Sequence, residues 1–233
     1  MRAVILAGGK GTRLAPLTEV IPKPLVPLGG KPILEIVITQ LQRCGFHKIT
    51  LAVGYMGDLI RAYFQDGSKW GVNIDYSFEA QPLGTAGPLA LINGLEETFL
   101  VMNADVLTNL DYQELIRFHK SHDALATIGA YQRQVTIDLG VIISNGEHRV
   151  QDYLEKPATT HLVSMGVYIF EPEVTPYIAG RGRLDFPDLV KILLKESKPV
   201  NYYPFEGYWL DIGRHDDYQR ASDEFEGLSQ TLL

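Results

Sequence analysis

A glycine-rich turn follows the first apolar run of the chain, and its residue types suit an anion. Residues 2–7 (Arg-Ala-Val-Ile-Leu-Ala) lead directly into Gly8-Gly9-Lys10-Gly11-Thr12-Arg13-Leu14. The three glycines remove Cβ atoms where the backbone must turn tightly, so amide N–H groups can approach and wrap a charged group. Lys10 and Arg13 add positive charge, and a guanidinium can grip phosphate oxygens through two parallel hydrogen bonds. Downstream, Ile21-Pro22-Lys23-Pro24-Leu25-Val26-Pro27 holds Lys23 between prolines that stiffen an extended run. A mobile surface lysine needs no such splint; a lysine aimed at phosphate does. Asp105 follows the apolar run Thr98–Met102, and Asp211 sits in Trp209-Leu210-Asp211-Ile212-Gly213. Taken singly, each aspartate reads as a helix or turn cap.

Two familiar phosphate motifs do not fit. A Walker A loop needs a Gly-Lys-Ser/Thr ending at fixed spacing, which is absent, and the dinucleotide fingerprint needs a third glycine where Leu14 stands. Nor is there a Ser/His/Asp or Cys/His set. His119 and His122 lie three apart on a predicted helix without a third ligand, and read as a solvated face. Cys44, the single cysteine, falls in an apolar stretch and reads as a packed thiol. His215 reads as a helix-start residue, and Asp223-Glu224-Phe225-Glu226 as an exposed helix face.

The elements that must position these groups change character along the chain. Apolar runs predict strands at 2–7, 48–53, 72–78 and 98–102, with helices at 33–44, 57–66 and 85–94 between them. Such alternation predicts a mostly parallel sheet covered on both faces. Beyond it, strand-like segments at 124–131, 137–143, 148–154 and 163–170 are joined by short turns, including the hairpin signal Asn145-Gly146. Helices at 111–121, 185–196 and 214–226 complete the reading. No linker, repeat or low-complexity tract interrupts it, so one domain is expected. Within it, the change of character near residue 110 marks off 111–233 as a half with a β-rich substrate-side subregion.

The 233 residues suffice for one large α/β domain. A formal net charge of −7 argues against a general nucleic-acid surface, so an anionic ligand must be held by a local cluster. The apolar runs are far shorter than a bilayer span, and the N-terminus shows no secretory pattern. A cytoplasmic protein without membrane or nucleic-acid partners is expected; a homo-oligomer is compatible with these features.

Residues 3–32 resemble the N-terminal signature of the sugar-phosphate nucleotidylyltransferases: a glycine loop ending Gly11-Thr12-Arg13-Leu14, then Pro22-Lys23-Pro24-Leu25, then Lys31-Pro32-Ile33. Later landmarks agree in order. Glu79-Ala80-Gln81-Pro82-Leu83-Gly84-Thr85-Ala86 is similar to the family's base-recognition loop. Asn103-Ala104-Asp105 stands for its Asn-Gly-Asp, Glu155-Lys156-Pro157 matches its Glu-Lys-Pro, and residues 209–213 match its C-terminal aspartate motif. The resemblance covers about residues 2–218; the departure is Ala104 for glycine.

The resemblance implies a single-domain Rossmann-like α/β/α fold of the nucleotide-diphospho-sugar transferase type, with a mixed, mostly parallel sheet, in which residues 1–110 are the nucleotide-binding half and 111–233 the sugar-phosphate-binding half. It implies joining of a nucleoside triphosphate to a sugar 1-phosphate, which releases pyrophosphate. The sugar-phosphate oxygen attacks the α-phosphorus in line and is already ionised at neutral pH, so no general base is required. Asp105 and Asp211 are expected to hold Mg²⁺, and Arg13, Lys23 and Asp105 to be catalytic. Leu6, Ala7, Gly8, Gly9, Gly11, Thr12, Arg13, Lys23, Gln81, Gly84 and Thr85 are expected around the nucleotide, and Asn103, Gly140, Glu155, Lys156 and Gly166 around the sugar phosphate. GTP with a mannose or manno-heptose 1-phosphate fits the motifs best. Members using UTP, dTTP or CTP, for instance with an N-acetylmuramic acid-type sugar phosphate, stay open, as does a non-catalytic nucleotide-sugar-binding regulator. The longer relatives' left-handed β-helix has no hexapeptide counterpart here, so no such domain is expected.

Overall fold

A computed structural model describes residues 1–232. Seven strands form the main sheet: β1 (Arg2–Ala7), β2 (Lys48–Val53), β3 (Asn73–Phe78), β4 (Phe99–Asn103), β5 (Ala126–Thr136), β6 (Ala158–Phe170) and β7 (Val200–Phe205). Their spatial order is β7-β5-β6-β4-β1-β2-β3. Strands β1 to β4 are parallel, β6 runs antiparallel to β4 and β5, and β7 is parallel to β5. Helices α1 (Ile33–Arg43), α2 (Gly57–Phe64), α3 (Tyr112–Ser121), α4 (Phe186–Lys195) and α5 (His215–Leu232) cover it.

The buried residues divide the core by sheet face. Ala3 and Ile5 of β1 pack with Leu34, Val37, Ile38 and Leu41 of α1. Val4 of β1 joins Val101 and Phe99 of β4 with Leu189 and Leu193 of α4 on the other side. Burial on both faces explains why β1, β2 and β4 read as largely apolar runs without polar alternation. A third cluster ties Leu14, Val26 and Ile33 to Leu107, Leu210, Ile212 and Phe225. It is this cluster that brings the C-terminal segment beside the glycine turn.

The chain leaves β1 towards β2 on one side, while β4 returns to pair on the other. The strand order therefore switches between β1 and β4, and a crevice opens outside their carboxyl ends. The glycine turn follows β1 there, and Asp105 follows β4.

Four expectations are corrected. Phe225, read as part of an exposed helix face, is buried in the third cluster with Leu14 and Leu210. The segment at 85–94 is not an α-helix but a 3-10 turn, Gly87–Leu91; Leu89 and Ile92 are buried at helix-like spacing, yet Pro88 opens the segment and Gly94 closes it at φ 73°. The strand expected at 137–143 is instead Val141–Ser144, paired with Val150–Leu154 across the Asn145-Gly146 turn. His119 is not on a solvated face. It is buried, between Thr127 Oγ1 (2.7 Å) and Glu171 Oε1 (3.0 Å), whereas His122 is exposed.

Candidate active site

The crevice between the β1 and β4 ends is a cleft of about 560 Å³. Residues 6–13 form its floor, and Lys23 and the Asn103–Asp105 segment reach it from elsewhere in the chain. Gly11 turns the loop through left-handed backbone (φ 64°), and a Cβ there would stand 3.0 Å from Lys23 Cβ. Only glycine meets both conditions without strain. The Leu14 amide donates to the Gly11 carbonyl at 2.8 Å and closes the turn. Arg13 then lies exposed in the cleft while Leu14 is fully buried, so the side chain beyond the turn anchors the one that faces ligand.

Lys23 is largely buried and its ammonium contacts Oδ2 of Asp105. Oδ1 of the same carboxylate is buried without a hydrogen-bond partner. Asp211 arrives on the short strand Trp209–Asp211, which pairs antiparallel with Val106–Thr108, placing Asp211 opposite Val106. The Ile212 amide donates to the Asp105 carbonyl at 3.0 Å. Burial pushes the Asp211 carboxyl above its ordinary value; the charge of Asp105 raises it further, against the opposing pull of Lys23 and Arg13. Two acids far apart in sequence thus share one electrostatic environment with two cations.

Such a group can hold a small divalent cation. Carboxylate oxygens are hard donors, and an unpartnered buried oxygen is costly unless something charged or polar satisfies it. No cluster of three or more His, Cys, Asp or Glu suited to a metal occurs among the described residues.

On the side where the sugar phosphate is expected, β6 bulges between Ser164 and Tyr168, and Gly166 takes φ 72° in the bulge. A Cβ at Gly166 would come within 2.6 Å of Asn103 Nδ2, so the glycine leaves room for the Asn103 side chain at the cleft edge.

The cleft is lined by all of the residues expected around the nucleotide except Gln81, which is exposed outside it. Asp211 adjoins Asp105 from the neighbouring ribbon. Gly166 lies outside the lining, as do Gly140, Glu155 and Lys156, which sit on the outer hairpin region. There Lys156 pairs with Asp138 at 3.0 Å, and Tyr153 covers Gly140. Sequence reading missed Glu79 as an individual contributor: it lines the cleft, and its Oε2 accepts the Leu83 amide at 2.9 Å. Its place at the end of β3, next to Pro82 and Gly84, was the available signal.

Comparison with known proteins agrees with this geometry. The family model described as nucleotidyl transferase matches residues 2–227. A UTP–glucose-1-phosphate uridylyltransferase from Synechocystis is 35% identical, over 95% of this chain and 62% of its own. A mannose-1-phosphate guanyltransferase beta-B from Xenopus laevis is 37% identical, over 94% of this chain and 62% of its own. The chain therefore spans about three-fifths of the length of these two relatives. The crystal structure of HddC from Yersinia pseudotuberculosis complexed with GMP-PN has a TM-score of 0.74 at 27% identity, covering 96% of this chain and 99% of that one. The glycine turn, the lysine splint and the two aspartates all lie inside the matched span, and by that match this chain belongs to the nucleotidyl transferase family.

Proposed function

We propose that this chain is a sugar-1-phosphate nucleotidylyltransferase, converting a nucleoside triphosphate and a sugar 1-phosphate to a nucleoside diphosphate sugar and pyrophosphate. The observation that carries the reading is the grouping of Arg13, Lys23, Asp105 and Asp211 about one glycine-floored cleft. Joining two polyanions is mostly a matter of alignment and charge neutralisation. Backbone amides of the 8–13 turn would cradle the phosphates, with Arg13 on the pyrophosphate end. Lys23, already fixed by its prolines and by burial, would meet the charge that builds at the α-phosphate. The sugar phosphate brings its own ionised oxygen, which accounts for a site with no general base.

Asp105 and Asp211 would hold Mg²⁺, because Asp105 offers an unpartnered oxygen and Asp211 a half-buried carboxylate beside it. A magnesium ion held by these two carboxylates would supply positive charge to offset that of the anionic substrates. Asn103 and Gly166 would form the near edge of the sugar subsite, with Gly140, Glu155 and Lys156 on the outer hairpin closing over it.

For the substrates, GTP with mannose 1-phosphate or a manno-heptose 1-phosphate is the favoured pair, supported by the Xenopus relative and by the GMP-PN complex of HddC. The Synechocystis relative favours a second reading, UTP with glucose 1-phosphate. The test is direct. With Mg²⁺, each of GTP, UTP, dTTP and CTP is incubated with a panel of sugar 1-phosphates, and pyrophosphate is measured. Release is expected for GTP with a manno-configured sugar. Release with UTP alone would transfer the assignment to the second pair, and silence throughout would favour a binding protein without turnover.

A further inference from the structure

One wall of the cleft is held from outside by a residue that does not line it. Pro82, Gly84, Thr85 and Pro88 form that wall. None is charged, so of the cleft's surfaces it suits a flat, uncharged base rather than phosphate. The wall belongs to a loop stitched to the segment before α4. The Leu184 amide donates to the Leu83 carbonyl (2.8 Å), and the Ala86 and Gly87 amides donate to the Leu184 carbonyl (2.9 and 3.0 Å).

The side chains then cross. Asp185 occupies the N-cap position of α4, yet its carboxylate does not cap that helix. Its Oδ1 instead accepts the Thr85 amide at 2.9 Å and lies 3.4 Å from the Thr85 hydroxyl. Thr85 Oγ1 takes over the capping role, accepting the Phe186 amide at 2.9 Å. Two residues one hundred positions apart have exchanged tasks: the threonine finishes the helix, and the aspartate holds the threonine. The approach is close, since a Cβ on Gly84 (φ 81°) would come within 2.7 Å of Asp185 Oδ1 and 2.5 Å of the Leu184 carbonyl oxygen. A helix that needed only a cap would be served by its own aspartate, as Asp111 serves α3.

We infer that Asp185 is a positioning residue that fixes the base-facing wall and thereby sets nucleotide affinity and base preference. The inference rests on the nucleotidyltransferase reading. It also reassigns Thr85, whose amide and hydroxyl are both committed to this lock, from ligand contact to structural element of the wall.

Equilibrium binding separates the two ideas. GTP, UTP, dTTP, CTP and inorganic tripolyphosphate are titrated in the presence of Mg²⁺ into wild type, Asp185→Ala, Asp185→Asn and Thr85→Val, with Tm recorded for each. Asp185→Ala is expected to weaken the preferred nucleotide by about tenfold and to narrow its margin over the others, while tripolyphosphate binding stays within about twofold. Asp185→Asn keeps an acceptor oxygen for the Thr85 amide and should bind like wild type. If Asp185→Ala does not fold, Thr85→Val, which loses the hydroxyl, carries the same expectation. Wild-type affinity and base order in Asp185→Ala and Thr85→Val, or equal losses for tripolyphosphate, would overturn the inference alone. Failure of the wild type to bind any nucleotide would overturn the nucleotidyltransferase reading, and the inference with it.

Discussion

Lys23 and Asp105 are bound to each other across 82 residues of sequence, and the lysine engages only one oxygen of the aspartate. The ammonium contacts Oδ2, while Oδ1 stays buried and unpartnered. The lysine is therefore a counter-charge already in place at the rim of the proposed cation site. Such a fixed charge costs no rearrangement when negative charge develops on a phosphate.

Asp105→Asn keeps the size of the side chain and removes its charge. Turnover is expected to fall by roughly two to three orders of magnitude, the scale for removing one key electrostatic group. Steady-state kinetics, with circular dichroism to verify the fold, checks this. Near-normal kcat would remove Asp105 from the reacting centre.

Asp211 gives a prediction of opposite signs for stability and metal binding. Its folded pKa is raised, chiefly by burial and next by Asp105. Its contribution to stability is thus present below the unfolded carboxylate value and lost as pH rises through the folded one. At neutral pH, Asp211→Asn should stabilise the metal-free protein and abolish the rise in Tm that Mg²⁺ gives the wild type. That rise should correspond to about 1.4 kcal/mol at ten times the dissociation constant. Thermal unfolding with and without Mg²⁺ measures both effects; an unchanged Mg²⁺ response in the variant would contradict the assignment.

Lys156 and Asp138 form an exposed pair, worth at most about 1 kcal/mol to the fold. If Lys156 meets the sugar phosphate, Lys156→Ala should raise KM for that substrate by about tenfold with little change in Tm. Asp138→Ala should leave that KM unchanged or lower it, by releasing the lysine. Equal increases in both variants, or an effect confined to the nucleotide, would argue that the pair merely shapes the hairpin.

His119 predicts a pH dependence far from the cleft. Burial lowers its pKa, although the hydrogen bond and charge of Glu171 pull the other way. A lowered folded pKa means the unfolded chain takes the proton first. Stability is then present above the unfolded value near 6.5 and lost as pH falls, by no more than about 1.4 kcal/mol per pH unit. Urea unfolding at pH 7.5 and 5.5 should show a smaller acid loss for His119→Gln than for wild type. Parallel losses would place the sensitivity elsewhere.

Much of the parallel half was legible because its signals are local. The runs at 2–7 and 48–53 are apolar but for Arg2, Lys48 and Thr50, and they became strands with those bounds. Strand β7 left no expectation in the sequence: Val-Asn-Tyr-Tyr-Pro-Phe contains Pro204, tolerated only because the strand lies at the sheet edge. His119 was misread for a related reason. Helical spacing shows which residues share a face, but not which face a neighbouring strand will cover, and here Thr127 of β5 and Glu171 cover the histidine.

By itself the sequence determined the phosphate-suited turn, because three glycines, Arg13 and a proline-braced lysine act over short stretches of chain. It also set the strand ends on which such groups sit. Tertiary structure alone decided which distant residues meet: that Asp211 pairs beside Asp105, that Lys23 reaches Asp105, and that Asp185 holds Thr85. Those relations depend on ladder register and on the packing of Leu14, Leu210 and Ile212 in one cluster. Register and packing are summed over many weak contacts, and no short motif spells them out.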